Sequence, residues 1–214
     1  MPIPSNLDVV AIGNAIVDVL VFAPDSFLHE HGLVKGSMEL VDAERSDALY
    51  AALPPGLEAS GGSVANTAAG LASFGARAGF IGKVRDDQLG AVFTHDIRAI
   101  GVTFPATPKA SGPPTARCLI VVTPDAERTL NTYLGIAELV TVDDIDVALV
   151  EGTDITFCEG YLRDLEPTKQ AIRHAMALAL GAGRRVALTL SDGFCVDRHR
   201  EEFRELAHSS VDIL

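Results

Sequence analysis

The chain has 214 residues, 48% of them hydrophobic and 21% charged, with a mean hydropathy of +0.25. This is enough apolar side chain for one ordinary domain with a small extra element, and it argues against a disordered chain or two full domains. Seventeen basic against 29 acidic side chains leave a formal charge of −12, which repels nucleic acid and anionic membranes and excludes a basic-patch DNA binder.

Leu7 to Ile12 (LDVVAI) is a nearly continuous apolar run closed by Gly13, which predicts a strand buried on both faces of a parallel sheet. Val17 to Val41 breaks into short apolar pieces at Pro24-Asp25 and Lys35-Gly36-Ser37, so it reads as a β-rich excursion. A helix follows over Ala43–Ala52, and no strong strand precedes Gly61. Ser63–Phe74 reads as a helix with Ser63 as N-cap and Val64, Ala68, Leu71 and Phe74 on one buried face. Next come a strand at Gly79–Val84 and a helix at Gln88–Ile100. Thr103 to Leu139 opens with Pro105, Pro108 and Pro113-Pro114, then has two strand-like runs, Arg117–Thr123 and Thr129–Leu134, joined by Pro124-Asp125-Ala126-Glu127 as a β-hairpin. Helices at Val142–Leu149, Thr168–Leu180 and His199–Ala207 then alternate with strands at Asp154–Cys158, Arg185–Leu190 and Val211–Leu214. Alternating strands and helices imply a layered α/β body, and the two β-rich excursions suggest a small sheet covering its active side.

Several motif claims fail on the residues. Gly13-Asn14-Ala15-Ile16-Val17-Asp18 is not the G-x-G-x-x-G of dinucleotide sites, and Gly82-Lys83-Val84 lacks the parts of a P-loop. Gly61-Gly62-Ser63-Val64-Ala65 resembles a nucleophile elbow but lacks its last glycine. His29-Glu30-His31 sends two ligands to opposite sides and has no third, so a solvated turn is the better reading. Cys118, Cys158 and Cys195 sit far apart with no C-x-x-C spacing, consistent with buried reduced thiols. No apolar run approaches the ~20 residues of a membrane span, and Met1–Ser5 lacks the features of a secretion signal, so cytoplasm is the expected location.

Two places carry chemistry. Asp18 falls just beyond the C-terminal end of the first strand, where α/β sheets bind ligands, in an otherwise apolar stretch. A carboxylate there either accepts hydrogen bonds from a ligand's hydroxyls or pairs with a cation, and one carboxylate chelating two neighbouring hydroxyls grips a sugar. Gly61-Gly62 opens the helix bearing Asn66, where free N–H groups attract electron-rich oxygens and the glycines admit a ligand to the backbone; a capped core helix is the competing reading.

Together, Gly13-Asn14 with Asp18, Gly61-Gly62 with Asn66, and the run Gly79 to Gly90 (GFIGKVRDDQLG) resemble the N-terminal signature of the ribokinase-type (PfkB) carbohydrate kinases. Gly13–Asp18 and the hairpin sequence Glu127–Asn131 are more similar to adenosine kinases and their bacterial relatives than to ribokinase proper. The resemblance implies a ribokinase-like α/β/α body with a mostly parallel central sheet over 1–16, 42–102 and 140–214, and a β lid over 17–41 and 103–139. It implies an ATP- and Mg²⁺-dependent phosphotransferase acting on a primary hydroxyl of a nucleoside or sugar, adenosine first among them. Asn14, Asp18, Gly62 and Asn66 would hold sugar hydroxyls, Gly61-Gly62 would be the lid hinge, and Arg128 would help neutralise phosphate charge. Met38, Leu40, Cys118 and Leu134 would face a nucleobase, or else form lid core.

The family's second signature, an Asp-Thr-x-Gly-Ala-Gly-Asp stretch carrying the catalytic base, and its Asn-x-x-Glu motif are not in the sequence. With an apolar strand closing the chain, the expectation is an N-terminal part of a longer protein whose base aspartate lies past Leu214, so that this chain grips a sugar without turning over. The rival is a non-catalytic sugar- or nucleoside-binding protein, and a hydrolase using Ser63 comes third. Assembly stays open between a monomer and a homodimer paired through lid strand edges.

Overall fold

The structure is a computed structural model describing residues 7–214; Met1–Ser5, read above as carrying no secretion signal, lie outside the described residues. In chain order the first half comprises β1 (Leu7–Ile12), β2 (Ile16–Phe22), α1 (Asp25–Glu30), β3 (Met38–Leu40), α2 (Ala43–Ala52), β4 (Leu57–Gly61), α3 (Ser63–Ser73), β5 (Ala78–Ile81) and α4 (Gln88–Ala99). The second half comprises β6 (Ala116–Val122), β7 (Arg128–Tyr133), α5 (Val147–Glu151), β8 (Thr153–Cys158), α6 (Glu166–Gly181), β9 (Arg185–Leu188) and α7 (Gly193–Ser209), with 3₁₀ turns at Gly135–Leu139 and Val142–Asp144.

The first sheet is four-stranded and parallel, ordered β5-β1-β8-β9. Its strands read as apolar runs because both faces are covered. Val9 and Ala11 point into a core shared with α3 and α4, through Val64, Ala68, Phe93 and Ile97. Val10 and Ile12 point the other way, against Leu149 of α5, Ile172 and Met176 of α6 and Phe203 of α7. Phe80, Phe93 and Phe104 meet with ring centroids 5.4–5.8 Å apart and tie β5, α4 and the following loop together. Such aromatic pairs add about 0.5–1.5 kcal/mol each beyond the area they bury.

The second sheet is five-stranded, ordered β3-β7-β6-β2-β4. Alternation assigns its faces: Val17, Val19 and Val21, with Leu119 and Val121, face a core that includes Leu28 and Leu49, while Ile16, Asp18, Leu20 and Phe22 face the opposite side. The layered α/β architecture with a parallel central sheet and a second sheet is therefore as expected, but the second sheet, expected to be small, has one strand more than the central sheet of this chain because β4 joins its edge.

The local departures have physical causes. Leu57–Gly61, read as lacking a strong strand and placed within the body, pairs antiparallel with β2 from Gly61↔Ile16 to Leu57↔Leu20. An edge strand with one open side needs no run of β-branched residues, and LEASG has none. The excursion read as β-rich over Val17–Val41 also contains α1, entered from Pro24. Val142–Leu149 splits because Thr141 and Asp144 form a capping box and Asp146 starts a second cap on Leu149 N. Helix α7 starts at Gly193, capped by Asp192 on Cys195 N, and kinks at His199 where the backbone leaves helical geometry. Phe74, placed on the buried face of α3, is 91% exposed at the C-cap, and the N-cap is Gly62 rather than Ser63. Val211–Leu214 makes one isolated bridge, Ile213 with Ala187, instead of a strand. No helix among the described residues is long and apolar enough to cross a membrane.

Candidate active site

The chain passes between the two sheets four times, and three of these passages converge. Gly13-Asn14-Ala15 joins β1 to β2, Gly62 joins β4 to α3, and Leu134 leaves β7. A cavity of about 430 Å³ lies there, lined on the second-sheet side by Ile16, Met38, Leu40, Thr132 and Leu134. Asn14, Ser63, Glu159, Tyr161, Asp164, Asp192, Phe194 and Arg198 complete its wall.

Asp18 is directly paired with Ala59 on one side and Cys118 on the other, and Cys118 is paired with Thr132, which is paired with Leu40. Cross-strand partners share a face, so Asp18 stands in one row with two cavity-lining residues. Its carboxylate has no hydrogen-bond or ion-pair partner among the described residues, and burial pushes its pKa up to about 6. Gly61 is glycine for a steric reason: a Cβ there would fall inside the Asp18 carboxyl group. Gly62 has φ +99°, and a Cβ on it would lie 2.5 Å from the Asn14 carbonyl oxygen. Both glycines thus serve the crossing itself.

Asn14 is 2% exposed, with Oδ1 fully enclosed and unpartnered. Its backbone N–H donates to Glu159 Oε2 at 2.6 Å and its Nδ2 to the same oxygen at 3.4 Å. Glu159 is itself 1% exposed; burial lifts its pKa to about 7 against the pull of both Asn14 donors. Across the cavity, Tyr161 donates its hydroxyl to Asp192 Oδ2 at 3.0 Å, and Arg198 makes two 3.1 Å bonds to Asp164. Phe194 is 76% exposed beside them.

Of the residues proposed from sequence, Asn14, Met38, Leu40 and Leu134 line the cavity, and Asp18, Gly61 and Gly62 adjoin it. Cys118 lies beneath its row, buried, with Thr132 Oγ1 donating to Sγ at 3.2 Å, and burial first, then the nearby Asp18, pushes the thiol up to about 12. Asn66, one turn into α3, is exposed and outside the cavity wall. Arg128 is not brought to the site: it sits at the exposed turn end of β7, four residues from Thr132 or roughly 13 Å along the strand. Sequence reasoning missed Glu159, Tyr161, Asp192, Phe194 and Arg198, which reach the cavity from the ends of β8 and β9. Among the described residues no group of three or more His, Cys, Asp or Glu side chains is arranged to hold a metal ion, His29-Glu30-His31 included.

Two unpaired acceptors at a sheet crossing, opposite apolar side chains, suit a ligand with neighbouring hydroxyl donors and a flat or apolar body. Residues 54–214 match the pfkB family carbohydrate kinases. The chain belongs to this family. Its curated relatives include a 5-dehydro-2-deoxygluconokinase of Clostridium perfringens, 33% identical over 122 residues (56% of this chain, 36% of that protein). Fructokinase-1 of Zea mays is 30% identical over 132 residues (61% and 41%). Among solved structures, the adenosine kinase of Sinorhizobium meliloti is 52% identical with a TM-score of 0.88, covering 97% of this chain and 64% of that one. A probable sugar kinase from Rhizobium etli CFN 42 is 48% identical with the same TM-score, at 97% and 63%. The pfkB chain described here thus spans less than two thirds of each of these relatives.

Proposed function

We propose that this chain forms the acceptor-binding part of an ATP- and Mg²⁺-dependent kinase that phosphorylates a primary hydroxyl of a ribosyl substrate, adenosine being the leading candidate. The observation that carries the reading is a pair of acceptors without a protein partner among the described residues, the enclosed Asn14 Oδ1 and the half-buried Asp18 carboxylate, which the hydroxyls of a ligand would satisfy. Met38, Leu40, Leu134 and Phe194 give the same cavity an apolar margin suited to a nucleobase, which a free hexose would not fill. The 52% identity to a protein called an adenosine kinase supports that choice over the hexose acceptors named in the curated relatives.

Phosphoryl transfer is mainly positioning and charge neutralisation. Asn14 and Asp18 do the positioning, holding the sugar by its secondary hydroxyls so that the primary hydroxyl is free to react. The second sheet, with the segments 17–41, 103–139 and β4, acts as a cover that excludes water. ATP and Mg²⁺ would supply the phosphoryl group and neutralise its charge; among the described residues no group of three or more His, Cys, Asp or Glu side chains is arranged to hold the metal. The aspartate motif that would supply the base is not in the sequence, so these 214 residues alone bind acceptor without turnover.

The test is calorimetry of the protein expressed from its own gene with adenosine, ribose and fructose, beside an assay of ATP-dependent transfer. Adenosine binding with transfer is expected. Fructose bound more tightly than adenosine would overturn the acceptor assignment, and binding without transfer by the native gene product would replace the kinase with a binding protein.

A further inference from the structure

The acceptor site contains a buried carboxylate that the reading above leaves without a task. Glu159 stands at the end of β8, where its backbone N–H continues the pairing to Ile12 O at 3.0 Å. The residue before Asn14 is glycine, and a Cβ at Gly13 would clash with Glu159 Oε2 and equally with a methyl carbon of Val64. The turn is therefore packed closely against both. One oxygen, Oε2, accepts from the backbone N–H of Asn14 and from its side-chain Nδ2.

An asparagine amide has two orientations related by a flip, and its hydrogen-bond partners choose between them. With Oδ1 turned toward Glu159, two acceptors would face each other in an enclosed place. With Nδ2 turned toward it, a donor faces an acceptor, and Oδ1 is left on the remaining side. That is the arrangement observed, with Oδ1 enclosed and unpartnered.

We propose that Glu159 is a positioning residue that locks the amide of Asn14 so that its oxygen, and not its nitrogen, meets the acceptor substrate. Glu159 works through Asn14 and need not touch the reacting atoms. The inference rests on the acceptor-site reading for its kinetic consequence, while the orientation of Asn14 is measurable without any substrate.

The experiment uses the protein expressed from its own gene, with Glu159→Gln, Glu159→Ala, Asn14→Ala and the two double variants. In Glu159→Gln the carbonyl oxygen still accepts both bonds but carries no charge, so KM for the nucleoside rises 3–10-fold, while KM for ATP is unchanged. Glu159→Ala raises it 10–100-fold. In the Asn14→Ala background either change adds less than 2-fold, because the residue being positioned is gone. Effects that multiply in full across the two positions would overturn the proposal, as would an unchanged nucleoside KM. Side-chain amide resonances of Asn14 in ¹⁵N NMR provide the substrate-free readout. One amide proton should be protected from exchange in the wild type and in Glu159→Gln, and should lose protection in Glu159→Ala. If Glu159→Ala does not fold, the same resonance in Glu159→Gln decides: an unshifted signal overturns the proposal. Absence of any kinase activity alongside a protected Asn14 proton would sink the acceptor reading and leave the positioning role standing.

Discussion

Replacing Asp18 by asparagine should make the protein more stable and a worse binder at the same time. Burial raises the carboxyl from 3.8 to about 6, with no hydrogen bond or cation in compensation. The folded state therefore holds the proton more tightly than the unfolded chain. Its favourable contribution is complete below the unfolded value and is lost as pH rises through about 6. Two pKa units at 1.36 kcal/mol each put the cost of the ionised form near 3 kcal/mol. Partial solvent access and the water that an asparagine amide must itself surrender reduce the net gain to about 2 kcal/mol. For a domain of this size that corresponds to a rise in Tm of about 4–8 °C. Scanning calorimetry of both proteins at pH 8 and pH 4 should show the gap wide at the higher pH and nearly closed at the lower. The variant should also bind adenosine about 10–100-fold more weakly, the cost of losing charge-assisted bonds to hydroxyls. A variant no more stable than wild type at pH 8, or a gap that stays constant with pH, would refute the account of Asp18 as an unpaired carboxylate held for a ligand.

Gly62→Ala should destabilise by at least about 2 kcal/mol in urea unfolding, since φ +99° and a 2.5 Å approach to the Asn14 carbonyl both exclude a Cβ; a loss under about 0.5 kcal/mol would contradict the geometry. Glu202 of α7 pairs with Arg163, Lys169 and Arg173, and Arg163 is wholly buried with two of its nitrogens unpartnered. Glu202→Ala should therefore cost about 3 kcal/mol, far more than an exposed ion pair, and a surface-like loss of under about 1 kcal/mol would show that the guanidinium finds water. Burial raises the thiols of Cys118 and Cys158 to about 12 and that of Cys195 to about 11, so none should react with an aromatic disulfide reagent at pH 8 until urea unfolds the chain. Prompt titration of any one of them in the native protein would show that its packing opens.

The parts of this fold that sequence discloses are those whose signal is local. LDVVAI announces a doubly buried strand by itself, whereas the cap assigned to Ser63 and the start assigned to α7 both missed, the helices being entered at Gly62 and Asp192. Edge strand β4 is hidden because its pairing partner lies some 40 residues away and one side stays open. The site divides the same way. Asn14, Asp18, Gly61 and Gly62 sit in recognisable motifs, but Glu159 belongs to no motif and becomes meaningful only when β8 lies beside β1, 145 positions from its partner Asn14. Phe194 and Arg198 reach the cavity because α7 begins earlier than its apolar spacing suggests. Arg128, which the family resemblance offers as a helper for phosphate charge, lies at the exposed turn end of β7, away from the acceptor cavity.

Four stretches of chain run between the sheets, and three of them, at Asn14, Gly62-Ser63 and Leu134, reach the cavity wall, the fourth leading from α4 to β6. Any tilt of one sheet against the other must pivot on these stretches, so the atoms that clasp a guest form most of the axle on which the two halves turn. Capture and closure are then a single mechanical event: a molecule lodged there braces both halves, and letting it go requires prising them apart.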